Sequence, residues 1–234
     1  MFARLIQLPR DLLEFIYPVS CLICEQPQTS PRTHLLCEKC LDEIAAYPLP
    51  DVEAIAGARG GMSSNHLQAV HAGWPFDAPM QAVIHAFKYR RRPSLSKVFG
   101  EMLAQRLQND LVNEIQQAIL VPVPLHRRRG RERGFNQSML LAQALAEIWK
   151  MKILPRALER IRFTQQQATL TAPERQKNVE GAFAPSPKAD LQHHTIFLVD
   201  DVFTTGATMN ACAAALKAAG AERVVGLVLA KAGN

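Results

Sequence analysis

No apolar run in this sequence approaches the roughly 18–20 residues that a bilayer-spanning helix needs, so an integral α-helical membrane protein is not expected. An export signal is not expected either. The N-terminal stretch MFARLIQLPRDLLEFIYPV carries Arg4, Arg10, Asp11 and Glu14 among its leucines, and charges inside the apolar stretch disqualify a signal-peptide core. Those leucines suggest instead an amphipathic helix after Pro9. Without export, the five cysteines belong in a reducing compartment, where a disulfide framework is not expected. There is no internal repeat and no low-complexity tract. Together these absences point to a cytoplasmic protein, at most peripheral at the inner face of the membrane. The 234 residues, 48% hydrophobic and 21% charged, suffice for one sizeable globular domain plus a small one.

What is present centres on Thr195 to Thr208, TIFLVDDVFTTGAT. An apolar, β-branched run of this kind reads as a strand buried on both faces of a parallel sheet. Asp200 and Asp201 close it. Thr204, Thr205, Gly206, Ala207 and Thr208 then turn the chain into an alanine-rich helix that Gly220 stops. A strand, a Gly/Thr turn and a helix N-terminus make an anion site, because backbone N–H groups and the helix dipole both favour negative charge. Carboxylates beside it suit ribose hydroxyls or a hydrated magnesium ion. Phosphate at one end and sugar at the other suggest a ribose 5-phosphate pocket. This stretch resembles the 5-phosphoribosyl-1-pyrophosphate (PRPP) loop of type I phosphoribosyltransferases; the alternative is an ordinary βα turn.

Near the start stands Cys21-x2-Cys24-x12-Cys37-x2-Cys40. Two CxxC knuckles so spaced can place four thiolates at the corners of a tetrahedron, which is what structural Zn²⁺ accepts. A redox CxxC is the rival, but one pair would suffice for that and a βαβ context is absent. Cys212 lies on the apolar face of the helix after the phosphate turn and reads as core. Residues 41–61 read as a short helix and a Pro/Gly-rich connector. The expected division is therefore 1–61 for the N-terminal helix, knuckle and connector, and 62–234 for the main domain.

Within the main domain a strand is expected from Leu67 to Trp74 and an amphipathic helix from Phe76 to Tyr89. Another helix runs from Ser94 to about Asn109. The run from Ala118 to Pro124 reads as a buried strand ended by prolines. After it comes an irregular arginine-rich loop, Leu125 to Gln137, and then a helix from Ser138 to Lys150. A strand, a cationic loop and a helix N-terminus form a second candidate anion site. Arg162 to Lys177 is polar and broken by Pro173. A last buried strand spans Arg223 to Leu229.

Charge is unevenly placed. Lys88 to Arg133 holds eleven Lys/Arg against four acids, a net +7, while the other 16 basic and 17 acidic residues leave −1. Arginine suits bidentate phosphate contacts. The eight of Arg90, Arg91, Arg92, Arg127, Arg128, Arg129, Arg131 and Arg133 exceed what a pyrophosphate needs and suit a polyanion such as single-stranded DNA. The plainer alternative is a solvated basic face.

The segment VPVPLHRRR…GFNQ is similar to the pyrophosphate loop of amidophosphoribosyltransferases, and still more to the ComF family of competence-associated proteins and its GntX-type relatives. That family's other landmarks follow in order: the four-cysteine knuckle, FKYR at Phe87 to Arg90, and Gln167, Leu170, Arg175, Asn178-Val179 and Ala182-Phe183. The resemblance implies a type I phosphoribosyltransferase-like parallel sheet flanked by helices, preceded by a small zinc knuckle. It implies PRPP with its 5-phosphate on Thr204 to Thr208 and its ribose on Asp200 and Asp201. The pyrophosphate would meet Mg²⁺, Pro124 and Arg127. Arg162 to Lys177 would be a loop that closes over substrate, or else a solvated surface loop. Two functions stay open: a PRPP-binding module that handles single-stranded DNA during DNA uptake, with competence or DNA-processing proteins as partners, and an active transferase of nucleotide metabolism. No hood for a purine or orotate is recognisable, and nothing supports ammonia transfer from glutamine.

Overall fold

Short apolar runs alternating with one-sided helices dictate a layered α/β architecture, and the computed structural model has it. The structure describes residues 20–27, 35–51, 53–54, 66–89, 93–164 and 171–232. They fall into two compact units, Met1–Tyr47 and Pro48–Asn234. The N-terminal helix expected after Pro9 lies outside the described residues.

In the smaller unit, helix α1 (Glu38–Ala45) begins at Cys37, whose sulfur accepts from the Cys40 N–H. Cys40, Leu41 and Ile44, three to four residues apart, turn one face of α1 inward. The helix starts earlier than Leu41 because the thiolate caps it, a device that the cysteine spacing alone does not announce.

In the larger unit the order is β1 (Glu53–Ala54), β2 (Ala69–Pro75), α2 (Ala78–Tyr89), α3 (Ser94–Ile115), β3 (Ala118–Pro122) and α4 (Arg127–Arg133). Then follow α5 (Gln137–Trp149), β4 (Leu158–Arg160), α6 (Ala172–Val179), β5 (Phe183–Pro185), β6 (Thr195–Phe203), α7 (Ala207–Ala218) and β7 (Arg223–Lys231). Five strands form one sheet in the order β1-β2-β7-β6-β3. Every pairing in it is parallel except β1 with β2. β7 is buried without a break from Val224 to Ala230, as a central strand covered on both faces must be.

One face packs Ile196, Leu198, Val224 and Val228 against Met209, Cys212 and Leu216 of α7, with Leu158 and Phe183 of the small β4–β5 ribbon completing the cluster. Cys212 is thus core, as its position in the helix implies. On the other face Trp149 of α5 meets Phe197 edge-on at 6.3 Å between ring centroids, and Trp74 of β2 meets Phe99 of α3 at 5.8 Å. α3 and α5 touch where Gly100 faces Ala144. A Cβ on Gly100 would lie 2.4 Å from the Ala144 Cβ, so only glycine permits that approach.

Four local expectations are corrected. The arginine-rich stretch is not an irregular loop: His126 caps it through Nδ1, Gly134 ends it at φ +83°, and the seven residues between form α4. β6 does not stop at the acid pair but runs two residues further, to Phe203, because β7 still pairs with it there. α3 extends beyond Asn109 to Ile115, since Leu107 and Leu111 continue its buried stripe. Pro173 starts a helix rather than breaking one. It sits in the first turn of α6, where its missing N–H costs nothing, behind a Thr171–Glu174 capping box.

Candidate functional site

The site opens where β6 loses one neighbour. Pairing with β3 ends at Pro122 opposite Val199, and the Val123 N–H makes the last bond, to the Val199 carbonyl at 2.9 Å. From Asp200 onward β6 keeps only β7, so its end stands at the mouth of a crevice at the carboxyl ends of the strands. Residues 204–206 then bend the chain into α7. Gly206 takes φ +74°, and a Cβ there would lie 2.8 Å from the Phe203 ring, so any other residue is both strained and obstructed. The N-terminal N–H groups of α7 lack helical partners. Thr205 Oγ1 is buried beside them without a hydrogen-bond partner.

A cleft of about 570 Å³ lies over this end of the sheet. Thr204 and Thr208 of the turn, Asp200, Asp201 and Pro124 line it. Thr205, Gly206 and Ala207 shape the turn without lining the cleft. Five cations also face it: Lys88, Arg129, Arg133, Arg160 and Arg175. Gln137 and Ser138, from the first turn of α5, complete the wall. Asn136 holds that turn in place, its Oδ1 accepting from the Ser138 N–H at 3.1 Å while its Nδ2 donates to the Val123 carbonyl at 3.0 Å.

The acid pair is not symmetric. Asp201 forms an ion pair with Lys88 at 2.9 Å, their side chains 9% and 24% exposed. Asp200 Oδ1 accepts from Ser138 Oγ and from the Asp201 N–H, both at 2.9 Å. Burial, then the neighbouring Asp201 charge, pushes the Asp200 carboxyl up to about 6, although Lys88 and the two donors oppose the rise. Opposite the acids, burial and the nearby Arg129 lower the Arg160 pKa. The Arg160 Nε has no partner, and the Nε2 of Gln137, a residue only 1% exposed, has none either. Carboxylates, unpartnered donors and a helix N-terminus in one cleft can hold an anionic sugar phosphate and a divalent cation together.

Within the smaller unit, the sulfurs of Cys21, Cys24, Cys37 and Cys40 all lie within 4.8 Å of one another. Cys24 and Cys37 are 3.7 Å apart at sulfur. A zinc ion bonded to four thiolates at about 2.3 Å requires sulfur–sulfur edges of about 3.8 Å, so the cluster fits a metal such as zinc. Cys40 shows why a cation is wanted: burial and the three adjacent thiols all push its pKa up.

Comparison with known proteins agrees with this geometry. Residues 133–234 match the phosphoribosyl transferase domain family. Competence protein F of Haemophilus influenzae is 30% identical over 158 residues, covering 66% of this chain and 69% of that protein. DNA utilization protein YhgH of Escherichia coli is 31% identical over 206 residues, covering 87% and 80%. This chain belongs to the ComF family. Competence protein ComFC of Bacillus subtilis, 26% identical and covering 88% and 75%, is a more distant relative.

The ComF-family cleft draws on residues that the sequence pattern does not single out as ligands. Lys88, Gln137, Ser138, Arg160 and Arg175 face it, whereas Arg127 does not. Helical spacing explains the difference among the arginines of α4. Arg129 and Arg133, four apart, share the face turned to the cleft, while Arg127, Arg128 and Arg131 are exposed. Of the expected nucleic-acid contacts, Arg90, Arg91 and Arg92 lie outside the described residues. Among the described residues no helix is long and apolar enough to cross a membrane.

Proposed function

We propose that this ComF-family protein binds PRPP with Mg²⁺ in its main cleft and acts in DNA uptake, handling incoming single-stranded DNA. The observation that carries the first half is the convergence of the acid pair, the Thr204–Thr208 turn and a cationic wall on one cleft. The 5-phosphate would sit on the turn and the ribose at Asp200 and Asp201. Pyrophosphate would lie near Pro124, Arg129 and Arg133. The names of the competence and DNA utilization relatives and the net charge of +7 between Lys88 and Arg133 support the second half. Zinc on the four cysteines would serve the fold of the N-terminal unit. The protein would work in the cytoplasm, with DNA-processing proteins as partners.

Titration with PRPP and Mg²⁺ tests the ligand: the melting temperature should rise by mass action, and no rise at millimolar PRPP would sink it. For DNA, replacing Arg127, Arg128 and Arg131 by Ala should flatten the log–log salt dependence by roughly two units, at about 0.7 per phosphate contact. A full slope in that variant would remove α4 from the interface.

A second reading is an active phosphoribosyltransferase. Arginines facing the acids across one cleft favour it, because departure of pyrophosphate from C1 of the ribose needs charge neutralisation more than a protein nucleophile. Pyrophosphate release from PRPP, assayed against a panel of bases with and without single-stranded DNA, decides between turnover and binding alone.

A further inference from the structure

Phe163 is 46% exposed, yet it does not sit on a loose tail. The Ile161 N–H donates to the Ala182 carbonyl at 2.9 Å, and Arg162 Nη2 donates to the Asn178 carbonyl at 3.2 Å. Arg129 Nη2 donates to the Thr164 carbonyl at 3.1 Å, and Arg160 donates to Thr164 Oγ1. A segment tethered on both sides of the ring therefore presents the aromatic to solvent. Its neighbours are cationic or polar. The Arg128 and Arg129 guanidinium carbons lie 5.1 and 5.9 Å from the ring centroid, and the His126 ring meets it edge-on at 5.1 Å.

Packing accounts for half of this ring and leaves the other half unexplained. A rigid aromatic among guanidinium groups is the arrangement that binds unpaired bases: the ring and the guanidinium planes offer stacking faces, and the charge tracks phosphates. The geometry points to Phe163, flanked by Arg128 and Arg129, as the base-stacking contact of a single-stranded DNA site on the rim of the cleft. The inference rests on the proposal that the protein handles single-stranded DNA, and adds where a base is held. Charge complementarity selects the occupant. Arg127–Arg133 carries five arginines against one glutamate, which suits a polyanion. A duplex keeps its bases stacked on each other and offers Phe163 no free face. The placement also has a consequence for the cleft. Arg129 and Arg160 both line it and both bond Thr164, so a stacked base would lie one residue from groups that face the sugar phosphate.

The test uses the full chain and fluorescence anisotropy at low ionic strength, with labelled oligothymidine and an abasic oligomer of equal length and charge. Wild type should prefer oligothymidine by at least about fivefold, the scale of one stacked base. Phe163→Leu keeps apolar volume against α4 but has no π face, and should bring the ratio close to one with the salt slope unchanged. Phe163→Trp should restore the preference. Salt-dependent binding whose base preference survives Phe163→Leu would overturn the stacking assignment while leaving DNA handling intact. No retention of either oligomer by wild type would overturn DNA handling itself, and the inference with it.

Discussion

Lys88 Nζ lies 2.9 Å from Asp201 Oδ1, so the ammonium is held against the acid pair within the cleft that both residues line. The residues are 113 positions apart, and α2 carries the lysine to the end of β6. Lys88 acts as an internal counter-ion for two adjacent carboxylates, one of which, Asp200, burial pushes up to about 6.

Lys88→Met removes that counter-ion and leaves both acids uncompensated. We expect a loss of about 1–3 kcal/mol of stability at neutral pH, less than for a fully buried pair because Lys88 is partly exposed. Millimolar Mg²⁺ should restore more of the melting temperature in the variant than it adds to wild type. Equal magnesium responses in both would show that the lysine does not stand in for the metal.

Asp200 sets a pH signature. An unfolded aspartate titrates near 3.9, and the folded one is raised to about 6. Between those values the folded chain keeps a proton that the unfolded chain has released. This contribution to stability is therefore complete below about pH 4 and is lost as pH rises through 6, a change of roughly 2–3 kcal/mol. Asp200→Asn should abolish that slope, since its amide oxygen can still accept from Ser138 Oγ and the Asp201 N–H. Chemical denaturation between pH 4 and 7.5 measures it. PRPP–Mg²⁺ affinity should move the opposite way, rising through pH 6 as the carboxylate ionises.

Thr205 separates stability from binding. Its hydroxyl is buried without a partner, a cost of about 1–3 kcal/mol that an isosteric methyl avoids. Thr205→Val should leave the ligand-free melting temperature unchanged or raised while weakening PRPP binding by calorimetry. A variant that bound as tightly as wild type would remove this hydroxyl from the proposed phosphate site.

The cysteine cluster predicts a metal count. Purified protein should hold about one zinc per chain, and Cys37→Ser should lose it, because the substitution removes one of the four clustered sulfurs. Protease should then cut within the first 47 residues. Metal-free protein with an unchanged digestion pattern would refute a structural zinc.

The parts of this molecule that a reader can take from the sequence are those encoded by neighbours. The apolar run into Asp200-Asp201 and the Thr/Gly turn specify strand, acid pair and the tight turn into α7 within 14 residues. The four cysteines announce their cluster by spacing. The cleft's far wall is different: Gln137 from α5, Arg160 from β4 and Arg175 from α6 come to line it beside Asp200 only through tertiary packing, which no local pattern encodes. α4 is hard to read from sequence because five arginines in seven residues repel one another and imitate a loop, while its organising signals are a histidine cap and a glycine stop. Phe163 carries no local signal because its chain neighbours are largely polar and the groups around its ring come from a segment about 35 residues earlier.

The sheet order also governs how the chain can be made. β7, the last strand described, lies between β2 and β6, and Ala69 pairs with Val225 across more than 150 residues. While the polypeptide emerges from the ribosome, β2 and the inner edge of β6 must wait with open backbone groups until Arg223–Lys231 has left the exit tunnel. Pairing over such separations is slow and exposes strands to wrong partners. A stalled or prematurely terminated message would release a product with a gap in the middle of its sheet, a substrate for chaperones and proteases rather than a shortened but folded protein.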